Sequence, residues 1–523
     1  MEIVQDRAVL VKTRKPHLIT EVLPDSHVVQ QVNLPYGEVG STVAVKWTLR
    51  NTKILHNLGF SKVPCPIGKR YNWPGMFKPF AHQIETAGFL SLNPRCFCLN
   101  DMGTGKTMSV IWASDYLMKL GVIKRVLIVA PLSILDTAWR ADLFKTAMHR
   151  RVDIAHGSAA KRKAIIASDA EYVIINYDGI EIVHKEIMEG GFDLIVCDEA
   201  SALKNHQTKR WKLMNQLVRP ETWLWLMTGT PAAQSPDEAY GLAKIVNPTS
   251  VPKFYGSFRD KVLIKITQFK YAPRPEAQEI VHKALQPAIR FTKEECLDLP
   301  EMTYVDREVP LTAQQQKYYD KLRQQLLIEA AGEEVSAINA AVEMNKLLQI
   351  SSGAVYSDTG EVVEFDCANR LNELVDIINQ SSHKTLVFAN FTHSIDVIQR
   401  HLTKHGINND AIYGDVKLRK RSQLIDDFQK TNNLQVLVIQ PQAASHGITL
   451  HAANTVVWFG PIPSLEYYLQ ANARVHRAGQ KNPCTVVHLM GSGVEKQMYR
   501  RLQNKKGDQE SLLAMYKKVI GIS

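Results

Sequence analysis

Two series of short apolar runs, separated by amphipathic helical stretches, constrain the fold of this chain more than any other feature. Runs this apolar that alternate with helices are typical of a parallel sheet covered by helices on both faces. The first series spans residues 74–246 and contains the runs RCFCLN, RVLIVAP, EYVIIN, FDLIVCDEA and WLWLMTGTP. The second starts near residue 311 and contains KTLVFAN, LQVLVIQ, NTVVWFG and PCTVVHLM. The sequence therefore predicts an α/β protein with two parallel-sheet domains in tandem.

The remaining stretches predict two smaller parts. Residues 1–73 indicate a strand-rich N-terminal accessory module, with strands in VVQQVNLPYG and GSTVAVKWTL. Residues 247–310 carry scattered prolines and mixed charge, which favours a connector with some helix. The two larger domains are thus expected at residues 74–246 and 311–523.

Composition narrows the function classes. Apolar residues make up 45% and charged residues 22%, as in ordinary globular proteins, and no apolar run approaches the roughly 18 residues that span a bilayer. The formal net charge of +11 favours a polyanionic partner. The seven cysteines have spacings that fit neither a zinc site nor a disulfide framework. We expect Cys96 and Cys98 to be buried in a reduced compartment.

A glycine-rich loop between a strand and a helix predicts a phosphate site. LNDMGTGKT follows the apolar run around Cys96 and opens the helical stretch TMSVIWASDYLMKL, which is the order of a P-loop. The strict pattern has glycine six residues before the lysine, where this chain has Asn100, and the alternative is a glycine turn that caps a helix. Lys106 would neutralise phosphate charge and Thr107 would bind Mg²⁺. The residues predicted to bind ATP here are Met102, Gly103, Thr104, Gly105, Lys106 and Thr107.

A pair of carboxylates ends a later apolar run. Asp198 and Glu199 follow FDLIVC, and the carboxyl end of a parallel strand faces the ligand crevice of such a sheet. We expect Asp198 to hold Mg²⁺ and Glu199 to act as general base toward the attacking water. The alternative is a solvated acidic turn, but a glycine-lysine-threonine loop followed by such a pair favours an ATPase.

At these residues the chain resembles the superfamily-two helicases, in particular their Swi/Snf-like branch of DNA translocases with the DEAD/DEAH-type core. PFAHQ resembles the upstream glutamine motif, which implies that Gln83 binds adenine. VAPLSIL, IINYD, DEAS and TGTP follow in the family's order, although Ser201 stands where this branch usually has histidine. The resemblance covers about residues 76–510 and implies two tandem RecA-like lobes.

The second series carries the later motifs of that family. VFANFTHSID resembles motif IV, QAASHGITLHAANTVVWFG resembles motif V, and QANARVHRAGQ is a specific match to motif VI. Arg474 and Arg477 stand three apart in a stretch expected to be helical, so both guanidinium groups would share one face. The resemblance implies that they act as arginine fingers when the two lobes close on ATP. A solvated basic helix is the alternative.

The same resemblance implies a nucleic-acid track. Ser133, Asn176 and Tyr177 stand in the segments that contact the backbone in this family. Two basic clusters, KRK from Lys161 and KLRKR from Lys417, could also contact phosphates, or could be solvated faces. Duplex or branched DNA is expected as the partner on the resemblance alone, because no residue here excludes a ribose hydroxyl.

The function expected from these observations is an ATP-dependent DNA translocase or helicase, in replication, recombination or repair. The alternatives are an RNA helicase, the motor subunit of a larger DNA-processing complex, and a binding protein whose ATPase has decayed. We expect a cytoplasmic protein of a bacterial or virus-infected cell, or a nuclear protein if the source is eukaryotic. Residues 1–73 could recognise a DNA substrate or simply cap the first lobe.

Overall fold

The computed structural model describes residues 1–33, 39–232, 235–266, 271–296, 299–332, 337–356, 362–444, 448–477 and 479–503. The chain forms two compact units. The first consists of Met1–Pro231, Asp237–Phe258 and Gln278–Thr292, and the second of Ala232–Pro236, Arg259–Ala277 and Lys293–Ser523. Among the described residues, no helix is both long and apolar enough to cross a bilayer.

The N-terminal part of the first unit is a small antiparallel sheet, and both strands expected there are confirmed. The strand order is β1-β2-β4-β3, and every neighbouring pair is antiparallel. Val9, Val11, Val43 and Trp47 form its core, each at most 2% exposed. Its elements are β1 Glu2–Val4, β2 Ala8–Thr13, α1 His17–Val22, β3 His27–Asn33, β4 Val39–Lys46, α2 Leu49–Asn57 and α3 Ile67–Arg70.

A parallel sheet of seven described strands forms the rest of the first unit, in the order β13-β5-β10-β9-β6-β8-β7. All of its pairings are parallel. Its strands are β5 Arg95–Cys98, β6 Val126–Ala130, β7 Val152–Ile154, β8 Tyr172–Asn176, β9 Leu194–Asp198, β10 Trp223–Met227 and β13 Ala288–Ile289. Its helices are α4 Ala81–Leu92, α5 Lys106–Lys119, α6 Ala141–Thr146, α7 Ala159–Ile166, α8 Gly179–Ile182, α9 His184–Glu189, α10 Lys209–Leu217 and α11 Ala239–Val246.

The predicted α/β pattern of this unit is confirmed strand by strand. Every residue of β6, β8 and β9 is buried, which explains why these strands lack the polar alternation of a half-exposed sheet. Cys96 and Cys98, in β5, are also fully buried, as expected. The carboxyl ends of the parallel strands lie along one edge of the sheet, and the motif residues that follow them therefore share that edge.

Residues 247–310 are more than a connector between the two parallel sheets. They contain the expected helices and also supply an edge strand to each parallel sheet, since β13 pairs with β5 and a later strand, β14, joins the second sheet. The elements of this part are α12 Tyr255–Val262, β11 Leu263–Lys265, β12 Tyr271–Pro273, α13 Ala277–Ala284, α14 Lys293–Cys296 and β14 Met302–Glu308.

The second unit contains a second parallel sheet, of six described strands in the order β14-β21-β20-β17-β19-β18. Its pairings are again all parallel, and the four strands expected from the sequence are present. The strands of this unit are β15 Ala354–Tyr356, β16 Val362–Glu364, β17 Lys384–Phe388, β18 Asn409–Ile412, β19 Val436–Ile439, β20 Ala453–Trp458 and β21 Cys484–Met490. The helices are α15 Ala313–Gly332, α16 Ala337–Ser351, α17 Ala368–Gln380, α18 Thr392–Lys404, α19 Leu418–Lys430, α20 Pro441–Ala444, α21 Leu465–Asn472 and α22 Gly493–Gln503. The two α/β units of the predicted tandem RecA-like fold are thus present.

Candidate active site

The predicted phosphate loop lies between the end of β5 at Cys98 and the start of α5 at Lys106. Gly103 and Gly105 have φ angles of +86° and +78°, in the left-handed region that glycine adopts without a side-chain penalty. Gly105 precedes the first helical residue and has no side chain to cap the helix. The first N–H groups of the helix can therefore bind an anion, as phosphate groups require.

Lys106 directs its ammonium group back into this loop. Its Nζ donates to the backbone carbonyls of Asn100, at 2.7 Å, and Asp101, at 3.4 Å. Both acceptors are neutral, so phosphate oxygens would bind the ammonium more strongly in their place. The geometry of this loop fits the binding of a phosphate chain, whereas a glycine turn that only caps a helix would not need the lysine ammonium inside the loop.

Asn100 explains how the loop begins without the glycine of the strict pattern. The side chain is 1% exposed, its Oδ1 accepts a hydrogen bond of 3.0 Å from the Phe291 backbone, and its Nδ2 donates one of 2.9 Å to Thr86 Oγ1. The loop is therefore fixed at its first residue both to α4 and to the segment after β13. No local sequence pattern indicates this role of Asn100.

The upstream glutamine motif also contacts the loop. Gln83, near the start of α4, accepts from the Phe80 backbone at 2.9 Å, and its Nε2 lies 3.5 and 3.4 Å from the Thr104 and Gly105 carbonyls. His82 Nε2 lies 2.8 Å from the same Thr104 carbonyl. Phe80 stacks on His82 with ring centroids 5.8 Å apart and is 54% exposed, which provides an aromatic surface beside the loop that the sequence did not reveal.

Asp198 ends β9 on the same sheet edge as the phosphate loop. Cys98, Met227 and Asp198 are paired side by side across β5, β10 and β9. Adjacent strands are about 4.8 Å apart, so the start of the loop and Asp198 are separated by about 10 Å. Burial raises the pKa of Cys98 to about 11, while the nearby Lys106 charge lowers it and Asp198 raises it. The phosphate loop and the predicted metal-binding carboxylate thus share one site.

Several hydrogen bonds hold the Asp198–Glu199 turn in place. Asp198 Oδ2 accepts from Trp139 Nε1 at 2.8 Å, and its Oδ1 accepts from the Glu199 backbone at 3.0 Å. The Asp198 carbonyl accepts from the Tyr177 hydroxyl at 2.8 Å. Glu199 has a φ of +50°, a left-handed conformation that is uncommon for a residue with a side chain.

The TGTP segment follows β10 and packs against the phosphate loop. The Thr228 backbone donates to the Cys98 carbonyl at 3.1 Å. A Cβ atom at Gly229 would lie 3.6 Å from the Asn100 carbonyl and 3.6 Å from the Met102 side chain. Because β10 lies between β5 and β9, the segment that follows it lies between the loop and the carboxylate pair.

The predicted nucleic-acid residues follow two neighbouring strands. Ser133 lies in the 3₁₀ turn Leu132–Ile134 after β6 and is partly exposed. Asn176, the last residue of β8, is 8% exposed and its Oδ1 accepts from Arg162 Nη1 at 3.1 Å. Tyr177 is 6% exposed. Arg162 itself is 6% exposed, so the α7 basic cluster is not uniformly a solvated face.

Arg474 and Arg477, in the second unit, require a correction. The helix expected to carry both arginines ends at Asn472, and the arginines lie in the turns that follow it. Asn472 is held by Trp458 Nε1 at 3.0 Å, and the Arg474 carbonyl accepts from the Leu450 backbone at 2.9 Å. The Arg474 carbonyl is thus bonded outside the helix, and the expectation that both guanidinium groups share a helix face is wrong.

These arginines are tied to the segment that precedes β20. Arg477 Nη1 donates to the Ile448 carbonyl at 3.0 Å, and Arg474 is 7% exposed. Gln480 Nε2 donates to the His451 and Ala453 carbonyls at 3.2 and 2.8 Å. The described parts of motifs V and VI, without residues 445–447 and 478, therefore form one hydrogen-bonded cluster within the second unit.

Two family models match the chain. The SNF2-related domain matches residues 44–358, and the helicase conserved C-terminal domain matches residues 369–479. The chain is 24% identical over 454 residues to a chromodomain-helicase-DNA-binding protein 1-like from Danio rerio, covering 81% of this chain and 43% of that protein. It is 25% identical over 417 residues to the ATP-dependent helicase MG018 of Mycoplasma genitalium. That match covers 78% of this chain and 39% of MG018.

One further curated relative and one solved structure are similar to the chain at comparable sequence identity. The ATP-dependent DNA helicase DDM1 of Arabidopsis thaliana is 26% identical over 443 residues, covering 78% of this chain and 58% of that protein. The SWI2/SNF2 ATPase core of Sulfolobus solfataricus, solved in complex with dsDNA, is 23% identical with a TM-score of 0.41, covering 86% and 98%. The chain spans well under two thirds of the length of each curated relative named here. The matched domains, one of which covers more than half of the sequence, confirm the resemblance: the chain belongs to the SNF2-related family of superfamily-two helicases.

Proposed function

We propose that this protein hydrolyses ATP at the β5–β9 edge of its first unit and uses the hydrolysis to move along duplex DNA. The observation that carries the proposal is the register Cys98–Met227–Asp198, which brings a phosphate loop and a carboxylate pair to one sheet edge. A helix cap or a solvated acidic turn would not require the two motifs to lie close together. Phosphoryl transfer does require it, because the phosphates, the metal ion and the attacking water must be held in one site.

The residues of the first unit fit ATP and Mg²⁺. Gly103, Gly105 and the start of α5 would cradle the phosphates, with the Lys106 ammonium within the same loop. Thr107 and Asp198 are hard oxygen donors of the kind that hold Mg²⁺ together with substrate phosphates. When bound, Mg²⁺ would neutralise phosphate charge. Met102 and Thr104 would complete the loop, and Gln83 would bind the base.

Glu199 is the general base of the proposal. Its backbone directly follows Asp198 and is fixed by the bonds to that residue, so the carboxylate is held near the proposed metal site. It would accept the proton of the attacking water. Arg474 and Arg477 would stabilise the charge that develops on the γ-phosphate, a role supported by their place in motif VI.

Duplex DNA is the proposed track. The excess of basic residues, +11 in net charge, suits a polyphosphate, and one relative of the chain is an ATP-dependent DNA helicase by name. Ser133, partly exposed at the sheet edge beyond β6, is the proposed backbone contact. We extend the proposal to a setting in DNA replication, recombination or repair, in the cytoplasm of a bacterial or virus-infected cell or in a eukaryotic nucleus.

ATP turnover measured with duplex DNA, single-stranded DNA and RNA tests the choice of track. We expect duplex DNA to raise the rate most, and the slope of log affinity against log salt to be negative, as for phosphate contacts. Stimulation by RNA alone would replace the DNA proposal with an RNA helicase. A chain that hydrolyses ATP only when co-purified partners are present would indicate the motor subunit of a larger complex.

Substitution at the proposed site tests the chemistry. Lys106→Ala and Glu199→Gln should each lower ATP turnover at least about 100-fold while DNA affinity changes little, because neither side chain contacts the track. Matched controls are Lys145→Ala and Glu189→Gln, two exposed positions of the same charges in the same unit. Full turnover in both site variants would refute the assigned roles.

A further inference from the structure

The backbone of Glu199 is held in a conformation that costs free energy. Its φ of +50° places it in the left-handed region, where a residue with a side chain is strained. Such a conformation persists only when neighbouring groups impose it. Two aromatic side chains of the first unit supply hydrogen bonds to the residue before it.

Tyr177 holds the peptide group between the two carboxylates. Its hydroxyl donates to the Asp198 carbonyl over 2.8 Å, and its side chain is buried against the sheet. Burial raises its pKa well above the usual 10.0, and the neighbouring Cys197, Asp198 and Glu199 raise it further, so the hydroxyl remains a donor at every physiological pH. The Arg210 guanidinium covers the outer side of its ring, 5.5 Å from the ring centroid.

Trp139 holds the side chain of the same aspartate. It is fully buried, and its Nε1 donates to Asp198 Oδ2 over 2.8 Å. It lies in the π-helical turn Leu135–Arg140, which begins two residues after Ser133. The carbonyl and the carboxylate of Asp198 are therefore fixed by two different segments, the one after β8 and the one after β6.

The two segments follow neighbouring strands on one side of β9 in the sheet. β6 lies between β8 and β9, with Ala130 paired to Asn176 and Val129 paired to Cys197. A displacement of either segment would therefore be transmitted directly to the Asp198–Glu199 turn. The turn after β6 also carries Ser133, the proposed contact to the DNA backbone.

We propose that Trp139 and Tyr177 are positioning residues that set the Asp198–Glu199 turn and transmit nucleic-acid binding to ATP hydrolysis. The inference rests on the proposed function and reassigns Tyr177, expected from the sequence to contact nucleic acid, to a buried role. DNA bound across the segments after β6 and β8 tightens both hydrogen bonds, and Glu199 then reaches its productive position.

The test uses Tyr177→Phe and Trp139→Phe in the full chain. Tyr177→Phe removes one oxygen atom and leaves the ring, so the fold is retained, and thermal melting checks this. We expect kcat at saturating duplex DNA to fall about ten-fold or more, since small displacements of a catalytic group cost that much. KM for ATP and Kd for DNA should stay within about two-fold, and the DNA-free rate should fall less than the stimulated rate.

Tyr172→Phe is the matched control. Tyr172 is the first residue of β8, the strand that Tyr177 follows, and its hydroxyl is also buried, but it bonds to Ser114 at 2.9 Å, away from the carboxylate pair. It should retain the wild-type ratio of stimulated to DNA-free turnover. A fall in that ratio for Tyr177→Phe, but not for Tyr172→Phe, separates positioning from a general loss of packing.

Two results would overturn the inference. A raised Kd for DNA with unchanged kcat at saturating DNA would make Tyr177 a direct contact, and an unchanged stimulation ratio in both aromatic variants would show that the bonds transmit nothing. Failure of the proposed function looks different, because then no nucleic acid would raise the wild-type rate, or Lys106→Ala and Glu199→Gln would remain active.

Discussion

The Phe291 backbone donates a hydrogen bond of 3.0 Å to the Asn100 side chain, although the two residues are 191 positions apart in the chain. The bond joins the first residue of the phosphate loop to the segment that follows β13. Since the Asn100 carbonyl also accepts from Lys106, the same residue fixes the loop and positions its ammonium group.

Asn100→Ala should loosen the loop. It leaves the Phe291 N–H and Thr86 Oγ1 without their partner, which costs on the order of 2 kcal/mol in unfolding free energy. We expect Kd for ADP, measured calorimetrically, to rise about ten-fold. Asn93→Ala, which removes only a local bond to the Phe89 carbonyl, is the control. Equal ADP affinity in the two variants would contradict the role of Asn100.

Gly105→Ala should block the loop by a specific collision. The added Cβ would lie 2.1 Å from Gln83 Nε2 on a backbone with φ of +78°. Gly121→Ala imposes a similar positive φ of +69° with no atom within 4 Å, so it isolates the backbone cost of roughly 1 kcal/mol. We expect ATP affinity to fall in Gly105→Ala but not in Gly121→Ala, because only the first variant displaces Gln83, the proposed base contact. Equal ATP affinity in the two variants would contradict the role of this contact.

Asp115 should make stability fall in acid. It is fully buried in α5 and accepts hydrogen bonds from Tyr71 at 2.5 Å and from Arg150 at 2.6 Å. Burial raises its pKa, but the bonds from Tyr71 and Arg150 outweigh it, and the net pKa lies below the usual 3.8. A depressed folded pKa contributes stability that is present above the unfolded value and lost as pH falls through the folded one.

Denaturant unfolding between pH 7 and pH 3 measures this contribution. We expect the unfolding free energy of the wild type to fall below about pH 4, and Asp115→Asn to be less stable at pH 7 with a shallower slope in acid. The exposed Asp25→Asn is the control. Parallel pH profiles for Asp115→Asn and the wild type would contradict the assignment.

Arg370 and Glu495 form the corresponding buried pair of the second unit. Two bonds of 2.6 and 2.8 Å join them, and their side chains are 3% and 0% exposed. Arg370→Met should lower the unfolding free energy by about 3–5 kcal/mol, because it leaves the Glu495 charge buried without its partner. Arg370→Met with Glu495→Leu should recover only part of that loss, because Glu495 also accepts hydrogen bonds from the Gly491 and Ser492 backbones. A double variant as unstable as the sum of the single variants would indicate no coupling.

The sequence predicted the features that depend on local pattern. The strand, glycine turn, lysine and helix of the phosphate loop are as expected, and so is each apolar strand of the two parallel sheets. The two-residue strand β13 has no pattern to recognise. The bonds of Asn100 to Phe291 and of Trp139 to Asp198 join residues far apart in the chain, which leaves no local signal.

The same cause explains the error at Arg474 and Arg477. Helical spacing is a sound local inference, but the helix ends at Asn472, and the Arg474 carbonyl accepts a hydrogen bond from the Leu450 backbone, which is distant in sequence. That Tyr177 contacts nucleic acid stays a prediction, and the structure adds a bond from its hydroxyl to the Asp198 carbonyl that its motif does not indicate. A motif locates a residue at the site, and only the packing decides which atoms it touches.

Triplex displacement tests the central claim most directly. A third strand annealed to duplex DNA is released when a motor passes beneath it, whether or not the duplex is unwound. We predict ATP-dependent release by the wild type, none by Glu199→Gln at equal DNA occupancy, and release at the wild-type rate by the exposed control Glu189→Gln. A wild type that hydrolyses ATP on duplex DNA but never releases the third strand would contradict the account.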